Sequence, residues 1–85
     1  MKQFSYTVKD PEGLHARPAS ILAKETVKYQ STITLLCGER RVSAKKLFSI
    51  MSLAVKCGMT VTLEIDGPDE EEAYEKLLCF FQENL

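Results

Sequence analysis

Apolar and polar residues alternate at three places in the chain. Phe4, Tyr6 and Val8 alternate with Gln3, Ser5 and Thr7; Ile33 and Leu35 alternate with Thr32 and Thr34. Met59, Val61, Leu63 and Ile65 alternate with Thr60, Thr62, Glu64 and Asp66. A period of two puts one set of side chains on a buried face and the other on an open face, so each stretch predicts a half-buried strand. Elsewhere the period lengthens. From Ala16 to about Tyr29, residues Ala19, Leu22, Ala23 and Thr26 share one helical face while Lys24 and Lys28 lie on another. Lys46 to Leu53 predicts a short helix. A third helix is predicted to follow the turn Asp66-Gly67-Pro68-Asp69. It opens on Glu70, Glu71 and Glu72, where the helix dipole favours anions, and carries an apolar face of Ala73, Leu77, Phe80 and Phe81. Gly38-Glu39 is a hairpin turn between the Ser31–Cys37 strand and a short strand around Arg40 to Ser43.

The predicted order is β-α-β-β-α-β-α, an α+β fold. Four strands and three helices in so short a chain predict an open-faced β-sandwich: a four-stranded antiparallel sheet covered on one face by the three helices. With 85 residues, the chain is expected to be one domain, residues 1–85. A chain of this size buries only roughly 60–65% of its unfolded surface. Function is therefore expected on the surface and not in a deep pocket.

Composition narrows the function classes. No apolar run approaches the ~20 residues of a membrane span, and MKQFSYTVKD has no apolar signal core, so a cytoplasmic protein with no direct membrane insertion is expected. Cys37, Cys57 and Cys79 are odd in number and widely spaced, and the chain has one histidine. No metal site or disulfide framework is expected, and the cysteines read as small hydrophobes at or near the core of a reduced protein. The net charge is −1, yet the halves differ. Up to Gly58 there are ten Lys/Arg against four Asp/Glu; from Met59 onward there is one against eight. Such asymmetry fits different partners on different faces. With near-zero net charge and no aromatic–basic recognition motif, nucleic acid is not an expected partner.

The stretch GLHARPAS, residues 13–20, holds the single histidine. Gly13 permits a tight turn, and His15 falls at or just before the first helical residue. The backbone N–H groups of Ala16 and Arg17 then lack intrahelical acceptors and can point at an anion. Arg17 adds a full charge and a planar donor fork suited to phosphate. Pro18 costs nothing in a first turn, where its missing N–H has no partner anyway. The helix terminus and Arg17 both disfavour a protonated ring, which leaves a nucleophilic imidazole beside a phosphate-binding perch. A helix terminus is worth about 0.3–1 kcal/mol to an exposed anion, weak enough to release it again. A lone histidine at a helix start is more often a cap or loop residue, so the motif alone leaves both readings open.

GLHARPAS resembles the active-centre motif of HPr, the histidine-containing phosphocarrier family of the bacterial phosphoenolpyruvate:sugar phosphotransferase system. AKKLFSIMSLAVKCG resembles the family's second signature, around its short middle helix, and DGPDEEEAYEKL resembles its usual ending. The resemblance spans nearly the whole chain. It implies a carrier, not a stand-alone enzyme, with no cofactor. Phospho-enzyme I would place a phosphoryl group on His15, and the chain would pass it to enzyme IIA components of sugar uptake. Arg17 matches the arginine beside the phosphoryl group. Leu47, Phe48 and Met51 match the apolar patch that docks both partners. Ser20 and Lys24 lie near that face, with Lys45 and Lys46 expected at its rim, and a monomer is expected.

The sequence departs from the family where Lys46 stands in place of a usual serine, the site of a regulatory kinase in many Gram-positive bacteria. Lysine cannot take that modification, nor cap the short helix as serine would, a loss of ~1 kcal/mol or less. Ala54 replaces a frequent glycine and Ser20 a frequent alanine. Lys46 keeps open a paralogue in a regulatory or specialised relay, such as nitrogen-related or dihydroxyacetone phosphorylation. Two readings of a different class stand beside it: a non-catalytic protein-binding regulator and an RNA-binding α+β module. Regulators of this family tend to lack the histidine present here.

Overall fold

The computed structural model describes residues 1–85. Its elements follow the predicted order: β1 (Lys2–Thr7), α1 (Ala16–Thr26), β2 (Thr32–Cys37), β3 (Arg40–Ser43), α2 (Leu47–Ser52), β4 (Thr60–Asp66) and α3 (Glu70–Asn84). The four strands form one antiparallel sheet in the order β1-β4-β2-β3. In the register, Phe4 sits opposite Leu63 and Tyr6 opposite Val61 on one side of β4, while Ile33 pairs with Ile65 and Leu35 with Leu63 on the other. This apolar face packs beneath α1 and α3 through Ala19, Leu22, Ala23, Ala73, Leu77 and Phe81, all buried. Phe81 anchors it by edge-on contacts with Phe4 and Tyr6, ring centroids 5.3 and 5.8 Å apart. Phe80 only flanks the core.

The other sheet face is open and polar. Ser5 and Thr62 share a hydroxyl hydrogen bond of 2.9 Å, as do Thr7 and Thr60, and Arg41 pairs with Glu64 at 2.8 Å. Helix α1 stops at Thr26, three residues short of the predicted end. Thr26 is buried and its hydroxyl donates to the Ala44 carbonyl 2.7 Å away. Beyond it Lys28 and Tyr29 close tighter turns onto the carbonyls three residues back. Cys37 is half-buried against the core, as expected, but Cys57 and Cys79 depart from expectation and are exposed. Cys79 follows Leu77 and Leu78 in sequence, but two positions along a helix is a half-turn, and Leu77 takes the core. Its thiol donates to Glu83, and that hydrogen bond, followed by the Glu83 charge, pushes the thiol pKa up.

At the start of α3 the Asp69 carboxylate accepts the Ser31 hydroxyl and the N–H groups of Gln30 and Ser31. These bonds, that from the Ser31 hydroxyl foremost, hold its carboxyl below the usual range. Gly67 lets the two segments close, since a Cβ there would lie 2.5 Å from the Ser31 Cα. No helix is long and apolar enough to cross a membrane.

Candidate functional site

The loop before α1 is fixed from several sides. Asp10 and Gly13 close a turn by a 2.9 Å backbone bond, and the Asp10 carboxylate accepts the Glu12 N–H at 2.9 Å. The N–H groups of Lys9 and Asp10 both donate to the Leu85 carbonyl, which ties this loop to the end of α3. Gly13 adopts φ 71° against Val55 and Lys56; a Cβ would stand 2.4 Å from the Val55 carbonyl oxygen. Only glycine satisfies both conditions.

His15 is the N-cap of α1, with φ −86° and ψ −174°. Its carbonyl accepts the first helical bond, from Ala19 at 3.0 Å, and its side chain makes no capping bond. Pro18 has no N–H, and the Ala16 and Arg17 N–H groups, too early in the helix to reach a carbonyl four residues back, have no acceptor in the fold. The first turn holds no acidic residue. Arg17 is exposed and enters no ion pair. The first turn thus gathers positive potential with no anion of its own, and the carboxylates nearest to it, Asp10 and Glu12, belong to the preceding loop.

His15 is neither buried nor free. Its side chain is 34% exposed in an open depression of ≈360 Å³, lined by Asp10, Glu12, His15, Arg17, Pro18, Ile21 and Asn84. A wall with one hydrophobic side chain suits a small charged group and not an apolar metabolite. The Glu12 Oε2 lies 3.6 Å from Nε2 of His15. Arg17 and this carboxylate thus place opposite charges in the same depression. Asp10, Glu12 and His15 place one ligand atom each within 4.8 Å of one another. The Arg17 charge in the same depression works against a cation there.

The predicted docking residues separate into two kinds. Phe48 is 83% exposed and Met51 39%, whereas Leu47 is half-buried against the core. Ile50 is 1% exposed, the inward face of the same helix. Ser20 and Lys24 lie on α1, half-buried and exposed respectively, on the helix that packs against α2. Lys45 is not free for the rim: its ammonium donates to the Tyr29 carbonyl at 2.8 Å, satisfying the turn after α1. Lys46 is the exposed N-cap of α2 and makes no capping bond. At the other end of α2 the Arg40 guanidinium donates to the Ser52 carbonyl and hydroxyl. Ala54 leaves the helix at φ 52°, a left-handed conformation that favours glycine.

Sequence reasoning misses Asp10, Glu12, Ile21, Asn84 and Arg40. Glu12 stands three residues before His15, and that spacing is a usable signal. Ile21, on the exposed side of α1 one turn beyond Arg17, is another. Asn84 and Arg40 arrive through long-range packing and leave no local trace.

Comparison with known proteins agrees with this geometry. The family model described as the PTS HPr component phosphorylation site matches residues 2–83. The phosphocarrier protein HPr of Mycoplasma capricolum is 40% identical over 77 residues, covering 91% of this chain and 86% of that protein. A solved mycoplasma histidine-containing phosphocarrier protein superimposes with a TM-score of 0.91 at 38% identity, covering 93% of this chain and 90% of that one. The HPr-like protein Crh of Bacillus subtilis is 40% identical over 85 residues, the full length of both. Its crystal structure, described as a swapped dimer, gives a TM-score of 0.77 and covers 100% of this chain and 98% of that one. With a partly exposed histidine at a helix start whose first turn holds no acidic residue, and these matches over nearly its whole length, the chain belongs to the HPr family of phosphocarrier proteins.

Proposed function

We propose that the chain carries a phosphoryl group on His15, received from phospho-enzyme I and delivered to enzyme IIA components of a sugar phosphotransferase system in the cytoplasm. The observation that carries this reading is the start of α1, where two N–H donors and an unpaired Arg17 adjoin an accessible imidazole. Neutral imidazole attacks phosphorus, and the new charge meets donors already in place. The depression is open and holds the product weakly, as a relay requires. Phe48 and Met51, beside Lys24 and Lys46, would dock an acidic-rimmed partner transiently.

Lys46 supports a second point. A position that cannot accept serine phosphate, on a helix without a side-chain cap, favours a relay without the kinase switch at that residue. The similarity to Crh makes a regulatory role the alternative, with His15 and Arg17 favouring the carrier. The test is to incubate the chain with phosphoenolpyruvate and enzyme I and count acid-labile phosphate. Stoichiometric label in the wild type and none in His15→Ala is expected; equal label in both sinks the assignment. Treatment with a catabolite-control kinase is expected to leave Ser43, Ser49 and Ser52 unmodified by mass spectrometry.

A further inference from the structure

Glu12 looks like one corner of a turn, but the fold fixes its backbone beside His15, with the side chain itself 77% exposed. Its N–H is held by the Asp10 carboxylate, the next residue is clamped by the Asp10 carbonyl, and Leu14 donates to Val55 at 3.0 Å. Lys9 and Asp10 are pinned to Leu85. The backbone therefore cannot carry Glu12 away, and its carboxylate, which accepts no hydrogen bond elsewhere in the fold, stands 3.6 Å from Nε2 of the one histidine. That contact singles out one ring nitrogen.

We propose that Glu12 is a positioning residue of the relay: its carboxylate keeps the proton on Nε2 of His15, so that phosphorus is bonded at Nδ1 and the ring is poised to let it go. This rests on the reading that His15 is the phosphorylated residue. With Nε2 protonated, the Nδ1 lone pair attacks phosphorus as the donor's bond to phosphorus breaks, and no proton has to leave the ring. The phosphorylated ring is then cationic and faces Glu12. On transfer the P–Nδ1 bond breaks, its electron pair returns to Nδ1, and neutral imidazole with its Nε2–H departs. Without that proton the leaving group would be imidazolate, a far poorer one. The Glu12 charge also repels the phosphoryl oxygens, in the same direction. Asp10 adds to this from the same loop, and Arg17 opposes it from α1 by attracting the phosphoryl group.

The experiment labels His15 chemically with potassium phosphoramidate, which requires no partner protein, and follows loss of phosphohistidine at neutral pH by 31P NMR. A unit charge several ångströms away in a well-solvated site predicts a lifetime about three- to tenfold longer in Glu12→Gln. Glu12→Asp is expected to fall between the two. The 15N spectrum of the phosphorylated ring should show the Nε2 proton persisting to higher pH in the wild type than in Glu12→Gln. Glu75→Gln, on an exposed position of α3 nine residues before Asn84, should change neither reading. Equal lifetimes and 15N titrations in wild type and Glu12→Gln overturn the proposal, as does an equal effect from Glu75→Gln, which would reduce it to net charge. Refusal of enzyme I to phosphorylate the chain would strike the carrier reading instead, and leaves the phosphoramidate measurement intact.

Discussion

Helices α1 and α3 begin in opposite ways. The first turn of α3 carries Glu70, Glu71 and Glu72, and Asp69 at its N-cap spends its carboxylate on Gln30 and Ser31. The positive end of that dipole is met by the chain's own anions, and the result is structural: two distant segments are fastened together. The first turn of α1 has no anion, an arginine without a partner, and two N–H groups without acceptors. Stabilisation of about 0.3–1 kcal/mol that an acidic residue would provide at such a terminus is forgone there. A first turn without an anion, beside an accessible imidazole, is what a phosphoryl group can use for a moment and then leave.

If that contrast is functional, it can be broken from either side. The largest effect is expected for Arg17→Gln. Removing one charged donor aimed at developing phosphoryl charge should slow phosphorylation by enzyme I by about a hundredfold, with the urea midpoint unchanged because Arg17 is exposed and unpaired. Next is Ala16→Glu, which writes the α3 pattern into α1. Ala16 is exposed, so the change is tolerated sterically. Stability should rise by about 0.3–1 kcal/mol. Phosphorylation should slow by about tenfold, because a like charge then faces the incoming group. Stability and transfer moving in opposite directions is the signature; a variant that gains or loses both would show that the open terminus has no functional meaning.

The contrast also explains what the sequence could and could not reveal. β1, β2 and β4 were legible because each alternates polar and apolar residues, and β3 through the hairpin turn before it; the register puts Phe4, Leu63 and Leu35 on one row. His15 and Arg17 were legible because a helix start needs only local residues to be recognised. The end of α1 was not, since Thr26 is turned from helix former to helix terminator by a hydroxyl bond to Ala44, eighteen residues away. Lys45 was misplaced for the same reason: its partner, the Tyr29 carbonyl, is brought to it by packing. The exposed Cys57 and Cys79 show that residue type is a weak guide to depth when neighbours such as Leu77 compete for the core.

The α3 side is tested through Asp69. Its carboxyl is depressed in the folded chain, chiefly by the Ser31 hydroxyl and the Gln30 N–H. The linked stability is therefore complete above the carboxylate's unfolded pKa and is lost as pH falls through the lower folded value. Urea midpoints measured from pH 6 downward should decline through the acid range in the wild type. Asp69→Asn should start lower at pH 6 and decline less. Parallel curves for the two would mean that the Asp69 clamp does not set the acid response.

The smallest effect is expected at α2, the short middle helix, whose start has no side-chain cap. Lys46 provides no cap at its start, and its exit passes through Ala54 at φ 52°, where the Cβ crowds the following carbonyl. Ala54→Gly removes that crowding but adds freedom to the unfolded chain, so the two partly cancel. A net gain of about 1 kcal/mol or less is expected, read as a small rise in urea midpoint. Ala54 is exposed and the exit is tied by Arg40 onto Ser52, so the change should leave Phe48 and Met51 in place and phosphorylation unaltered. A fall in stability would mean that the left-handed exit is held without strain and that α2 is secured by its buried Ile50 and by Arg40 alone.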